Sequence, residues 1–148
     1  MRRAYDSPMR RWLAAAGASV LLLAACGGDS APTTKVAWTS KYGEALDVLE
    51  KDLETARATL SSLQRPDILG TCTQLRDSLE EARKSLPVPD PTSDRALRVT
   101  FDAVATGTTD CIEGARGPDI PRLEKSFREL REARTLMEVA TRTIDNWT

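Results

Sequence analysis

The 148-residue sequence contains no histidine, and this absence narrows the chemistry open to the protein. Histidine is the usual general base at neutral pH and the commonest neutral metal ligand. Its absence excludes Ser-His-Asp triads, the Cys-x-x-Cys-His haem motif and the Glu-x-x-His pairs of di-iron bundles. The sequence also has no Walker loop, no Gly-x-Gly-x-x-Gly fingerprint and no Gly-x-Ser-x-Gly elbow. We therefore expect no enzyme, no cofactor and no metal site.

The chain also has no excess of positive charge. The chain has 21 Lys and Arg against 22 Asp and Glu, and residues 26–148 keep 17 and 21 of them, a formal net charge of −4. A polyanion binder needs a basic surface, so we expect no nucleic-acid partner. Docking on anionic lipid by charge alone is excluded for the same reason.

Two acidic clusters, Glu80-Glu81 and Glu44/Asp47/Glu50, could hold a cation or act as an acid and a base. Many acidic residues of this chain have Arg or Lys neighbours at helical spacing. That pattern is typical of solvated helix faces, which is the interpretation we favour.

An apolar run over residues 12–25 follows a basic start, and small residues end it. The basic residues are Arg2, Arg3, Arg10 and Arg11. This arrangement is typical of a secretory signal peptide. The run is shorter than the roughly 20 residues that span a bilayer. A buried core helix is the alternative, but the basic flank and the polar exit after Cys26 favour a processed signal.

The end of this run, Leu23-Ala24-Ala25-Cys26, resembles the lipobox of bacterial lipoproteins. The resemblance implies cleavage before Cys26, diacylglycerol on its sulfur, further acylation such as palmitate, and a membrane-anchored protein on the extracytoplasmic side. With its preference for Arg over Lys, the chain resembles small actinobacterial lipoproteins. An ordinary secreted protein with a chance cysteine is the alternative. Arg10-Arg11-Trp12-Leu13 has some resemblance to a twin-arginine signal, so both export routes stay open.

The predicted organisation has three parts: a cleaved signal peptide over residues 1–25, a lipidated flexible tether over 26–35, and a helical domain over 36–148. Residues 27–34 are small and polar, as flexible linkers are. The remaining length suffices for one domain with one core.

Apolar residues at steps of three and four predict a first helix over 36–63 and a second over 67–86. The first stripe contains Tyr42, Leu46, Leu49, Leu53, Ala56, Leu60 and Leu63. The second contains Ile68, Cys72, Leu75, Leu79, Ala82 and Leu86. Prolines at 87, 89 and 91 predict a stiff turn after the second helix.

The third helix is expected to start near Thr92-Ser93-Asp94, three good N-cap residues, and to end near 114–118. Its inner face would contain Leu97, Phe101, Val104 and Cys111. Residues 106–109, Thr-Gly-Thr-Thr, form helices poorly, which predicts a kink or a break there.

The fourth helix is expected to begin near Asp119. Its stripe contains Ile120, Leu123, Phe127, Leu130, Met137, Ala140, Ile144 and Trp147. Arg134 interrupts this stripe and should snorkel or pair with an acid. Four such stripes with short links predict an all-α fold, an antiparallel up-down four-helix bundle.

Cys72 and Cys111 are the two cysteines beyond the signal, and an even pair in an exported domain predicts a disulfide. If the second and third helices run antiparallel, both residues lie at a similar height above their connection. A redox pair or free thiols are the alternatives, although Cys-x-x-Cys spacing is missing.

Trp38 and Tyr42 near the start of the first helix should lie close to Trp147 at the end of the fourth. Such aromatic residues either cap the core, which is the commoner case, or form a contact site for a partner or an apolar ligand.

Three functions remain in view. The first is a membrane-anchored adaptor that binds another envelope protein, which the missing catalytic motifs and the tether favour. The second is a small-ligand or metal-binding envelope protein, and the third, least favoured, is an enzyme.

Overall fold

The computed structural model describes residues 31–62, 65–117 and 119–148. The predicted signal peptide, Cys26 and the first part of the tether lie outside these residues. The described chain forms α1 (Lys35–Ser62), α2 (Arg65–Ala82), α3 (Pro91–Arg116) and α4 (Ile120–Asp145), and a 3₁₀ turn follows α2. These ranges hold no strand, which confirms the all-helical bundle. Within them, no helix has the length and apolarity that a membrane crossing requires.

The helix starts follow local capping chemistry. The Asp90 carboxylate accepts a hydrogen bond from the Ser93 N–H at 2.7 Å, and Pro91 occupies the first turn of α3. The N-cap is therefore Asp90 and not one of Thr92, Ser93 or Asp94, because a proline is tolerated where the backbone N–H has no helical partner. Asp119 caps α4 in the same way, accepting from the Arg122 N–H at 3.1 Å.

The predicted apolar stripes form the core. Of the predicted stripe residues, Leu49, Leu53, Ile68, Cys72, Leu75, Leu97, Val104, Cys111, Leu130 and Ala140 are 0 % exposed. Other stripe residues are only half-buried: Tyr42, Leu46, Leu86, Ile120, Phe127 and Trp147. All four helices contribute buried side chains to one hydrophobic core.

The helix α3 runs unbroken through Gly107, so of the predicted kink or break the break is wrong. A Cβ atom at Gly107 would lie 2.6 Å from Leu130 Cδ2 and 3.2 Å from the Leu130 backbone nitrogen. Ser126 Oγ also donates a hydrogen bond to the Gly107 carbonyl at 2.7 Å. The close approach of α4 at this point requires a residue without a side chain. The contacts that α3 and α4 gain in this way offset the poor helix propensity of glycine.

Buried small residues recur every seven positions on α3, and buried large apolar residues recur every seven positions on α4. Buried small residues on α3 are Ser93, Thr100, Gly107 and Gly114. Buried large apolar residues on α4 are Leu123, Leu130, Met137 and Ile144. At the second glycine of the series, a Cβ atom on Gly114 would lie 3.0 Å from Leu123 Cδ2. At Gly107 and Gly114 a leucine of α4 therefore packs directly against the backbone of α3, at the seven-residue spacing typical of coiled coils.

Candidate functional site

Cys72 of α2 and Cys111 of α3 form a disulfide, which confirms that prediction. Both cysteines are 0 % exposed, and their Cα atoms lie 6.2 Å apart. A buried cross-link between two packed helices has the surroundings of a structural disulfide, since reactive cysteines are partly exposed in electropositive sites.

The three predicted aromatic residues do come together. The ring centroids of Trp38 and Tyr42 lie 5.9 Å apart, because the two residues are one helical turn apart on α1. Trp147 meets Trp38 edge-on at a centroid distance of 6.1 Å. We call these three residues the aromatic cluster.

Trp38 is 1 % exposed, and its indole N–H donates to the Ser85 carbonyl at 2.9 Å. For Trp38 this favours the core-capping interpretation, because a buried indole with its hydrogen bond made is a packing residue. Tyr42 and Trp147 stay half-buried. Next to them, Lys35 Nζ donates to the Asp145 carbonyl at 2.6 Å and joins the start of α1 to the end of α4.

A slot of about 140 Å³ lies between α1 and α4 beside the aromatic cluster. Its apolar lining consists of buried or half-buried residues, among them Leu46, Met137 and Ile144. Its charged lining consists of three exposed acids, Asp47, Glu50 and Asp145, and contains no Lys or Arg. We call this depression the acidic slot.

The line of contact between α1 and α4, which we call the α1–α4 seam, has two further depressions. A groove of about 620 Å³ continues from Asp47 and Glu50 to Glu54, Lys51 and Arg134; we call it the mixed groove. Arg134 pairs there with Glu54 at 3.2 Å, which confirms that Arg134 has an acidic partner.

The third depression is lined by residues near the end of α1 and the start of α4. It measures about 340 Å³, and its lining residues include Leu60, Leu123 and Phe127 with one acid, Glu124, and one base, Arg128. We call it the apolar groove.

An ion-pair network joins α3 to α4. Lys125 Nζ lies 2.5 Å from Asp110 Oδ2, and Arg122 Nε lies 3.3 Å from Asp110 Oδ1. The hydrogen bond from Lys125 lowers the pKa of the Asp110 carboxyl below its ordinary value, although burial acts in the opposite direction. The same bond raises the pKa of Lys125. The network extends to Glu113 and Glu129, at 2.7 Å from Arg122 and 3.3 Å from Lys125.

Sequence reasoning missed Asp52, which is 6 % exposed in the interface of α1 and α2. Its carboxylate accepts hydrogen bonds from Gln74 Nε2 at 3.0 Å and from Ser78 Oγ. The available signal was its position between Leu49 and Ala56 of the core stripe. Such a polar contact in an apolar interface is a way to fix the register of two helices.

The two acidic clusters differ in their surroundings. Glu80 pairs with Arg83 at 3.3 Å, and Glu81 pairs with Lys84, so that both acids at the end of α2 have basic partners in the following 3₁₀ turn. Glu44, Asp47 and Glu50 make no ion pair with any residue that the structure describes. In the described ranges no three Cys, Asp or Glu side chains are grouped so that they could hold a metal ion.

No known protein family, no curated protein and no solved structure matches this chain.

Proposed function

We propose that this chain is a lipoprotein held on the extracytoplasmic face of a membrane through Cys26, and that its helical domain binds another protein of the cell envelope. The observation that carries the second part is the α1–α4 seam. Three depressions follow one another along it, and helical partners commonly dock in such grooves.

The lipobox-like segment and the apolar run before it support the anchor. Two acyl chains hold a protein firmly on a membrane, since each buried CH₂ contributes about 0.8 kcal/mol. Lys35 follows Cys26 by nine positions, and an extended chain of that length spans at most about 30 Å. The start of α1 would then lie within that distance of the lipid surface.

The up-down arrangement is part of this proposal. Contacts between α1 and α4 include Lys35 with Asp145 and Glu54 with Arg134, so that later residues of one helix meet earlier residues of the other. The contacts of α3 with α4 follow the same order. This supports an antiparallel bundle whose aromatic cluster and acidic slot lie at the tethered end.

A small-ligand protein is the second candidate, and the acidic slot is the observation in its favour. Pockets for drug-sized ligands usually measure roughly 300–1,000 Å³. The acidic slot is smaller, at about 140 Å³, and the two larger depressions are wide open along the surface. The acidic slot has room for one side chain of a partner protein but not for a drug-sized ligand.

The test is photo-crosslinking of the full chain in its native envelope. A photoreactive residue at Thr141, which is exposed in the acidic slot, is compared with one at Val99, which is 50 % exposed on α3. We expect one envelope protein to be recovered from the Thr141 variant and not from the Val99 variant. Identical products from the two positions, or none, would contradict an interaction module that uses this seam.

Mass spectrometry of the same material tests the anchor. We expect the mature N-terminus to be an acylated Cys26, and we expect Cys26→Ser to release the protein from the membrane fraction. An unmodified Cys26 in the native envelope would contradict lipid anchoring and would leave the ordinary secreted protein.

A further inference from the structure

We infer that the tethered end of the bundle rests on the lipid surface of the membrane that holds the Cys26 anchor, with Val36 and Trp147 entering the interfacial layer. The tethered end consists of the start of α1, the turn and loop over residues 83–91, and residues 145–148. This inference rests on the anchor in the proposed function and adds an orientation, in which the bundle stands upright on the bilayer.

Hydrogen bonds and a ring contact join the three segments of the tethered end. Lys35 Nζ on α1 donates to the Asp145 carbonyl at 2.6 Å. The Trp38 indole N–H donates to the Ser85 carbonyl at 2.9 Å. The ring of Trp147 lies 6.1 Å from that of Trp38. The start of α1, the 3₁₀ turn after α2 and the end of α4 therefore form one continuous surface.

Apolar side chains are exposed on this surface. Val36 is 79 % exposed, more than any other large hydrophobic residue that the structure describes. Trp147 is half-buried, and Pro87 and Pro89 are exposed in the loop after α2. The Cα–Cβ bonds of a helix tilt towards its N-terminus, so the Val36 side chain leans towards the tether.

The opposite end of α3 and α4 differs in its exposed residues. The charged residues there are Glu113, Arg116, Asp119 and Arg122, and all four are exposed. The loop over residues 86–91 has one charged residue, Asp90, and its carboxylate accepts hydrogen bonds from the Ser93 N–H and hydroxyl. Since removing a charged group from water is costly, the tethered end is better suited to lipid than the opposite end.

The length of the tether selects the same end. Lys35 follows Cys26 by nine positions, which span at most about 30 Å. The 28 residues of α1 extend over about 42 Å, so an inverted bundle would hold Lys35 farther from the bilayer than the tether allows. A bundle lying on α1 would press Glu44 and Asp47, which are exposed acids, against lipid.

The anchor makes a small apolar contact sufficient. Tryptophan is enriched at membrane interfaces, where its ring meets apolar and wet surroundings together. Val36 and Trp147 would bind a bilayer weakly by themselves. On an anchored chain their docking is intramolecular, and the high effective concentration compensates for the small contact. An upright bundle also keeps the α1–α4 seam accessible to another envelope protein along its length.

The experiment uses the full lipoprotein, purified from its membrane and placed in phosphatidylcholine nanodiscs. Part of the lipid carries a nitroxide on the acyl chain close to the headgroup, and two-dimensional ¹H–¹⁵N NMR measures the paramagnetic broadening at each residue. We expect the strongest broadening at the amides of Val36 and Ala37 and at the Trp147 indole, and little at Val48 or Gly117. Equal broadening at Val48 or Gly117 would overturn the inference.

Variants separate docking from mere tethering. Val36→Ser removes the apolar contact, and Val48→Ser is the matched control, because Val48 is 44 % exposed farther along the same helix. We expect Val36→Ser to lower the docking equilibrium about tenfold, since burial of one valine side chain is worth roughly that factor. Broadening at Trp147 should fall with it and stay unchanged in Val48→Ser. Unchanged broadening in Val36→Ser would show a tethered but undocked domain and overturn the inference.

Failure here is distinguishable from failure of the proposed function. If mass spectrometry finds Cys26 acylated but the broadening pattern is absent, the docking inference is overturned and the anchor stands. If Cys26 is unmodified, the anchor and the inference are both lost. A photoreactive residue at Ala37 should give lipid adducts in the native envelope. A protein product in their place would assign this end to a protein partner and overturn the inference.

Discussion

The helix α4 meets its two neighbours in opposite ways. Towards α3 it presents leucines that rest on glycines, so closely that a Cβ atom at Gly107 would lie 2.6 Å from Leu130. Towards α1 it leaves a series of depressions, and Gly43 on that side has an open space before it. Glycine therefore allows close packing at the α3–α4 interface and leaves open space at the α1–α4 interface. The difference lies in the neighbouring residues and not in the glycine.

Charge follows the same division. On the closed side, Asp110 lies between Lys125 and Arg122. On the open side, the side chains of Asp47 and Glu50 form no ion pair with the described residues, although Glu54 of the same seam pairs with Arg134. Paired charges stabilise an interface that is complete, whereas unpaired charges around a depression can still gain a partner from outside.

The largest expected effect is loss of the disulfide that holds α3 to α2. Replacing Cys72 and Cys111 by Ala together should lower the free energy of unfolding by about 4 kcal/mol in the chain-entropy model, since 39 residues separate them. Urea unfolding monitored by circular dichroism measures this. A loss below about 1 kcal/mol would show that the cross-link does not constrain the chain as inferred.

Next in size is Gly107→Ala in the closed interface. Overpacking there costs about 1–3 kcal/mol, which exceeds the gain of about 1 kcal/mol in helix propensity. We expect a net loss of about 1 kcal/mol in the free energy of unfolding. Gly114→Ala should lose less, because its nearest contact is 3.0 Å. A stabilised Gly107→Ala variant would mean that α3 and α4 are packed less tightly than described.

The opposite sign is expected at Gly43→Ala on the open side. Its new methyl group meets no close neighbour, so the variant should gain about 0.5–1 kcal/mol in stability. Thermal unfolding of this variant beside Gly107→Ala gives the comparison directly. Should both alanines shift the melting temperature in the same direction, the contrast between the two sides of α4 would be lost.

The smallest expected effect lies in the pH dependence of stability. The pKa of Asp110 is lowered in the folded state, so its contribution is fully present above about pH 5 and is lost as the pH falls through the lowered value. In Asp110→Asn the free energy of unfolding should therefore fall less steeply as the pH is lowered. Urea unfolding between pH 2 and pH 7 measures it, and Asp47→Asn in the acidic slot is the matched control. If the loss of stability at low pH is the same in Asp110→Asn as in the unmodified protein, the ion pairs of Asp110 do not stabilise the fold as inferred.

The sequence predicted best where the pattern is repeated many times. Leu49, Leu53, Leu75 and Leu130 are buried as their spacing indicated, since each stripe has several members and one deviation does not change it. The prediction from local helix propensity failed, since α3 continues through Gly107. Asp52 was missed because a charge inside a stripe is expected to be solvated, and only its contacts with Gln74 and Ser78 explain its burial.

By itself the sequence determined the helical class, the core stripes and the pairing of Cys72 with Cys111. These follow from periodicity and composition, which act within one segment or between two cysteines of the same helical domain. Only the tertiary structure decided that α3 continues through Gly107 and that the slot opens beside Gly43. Both depend on how closely a neighbouring helix approaches, and packing between distant segments overrides the local propensity of any one residue.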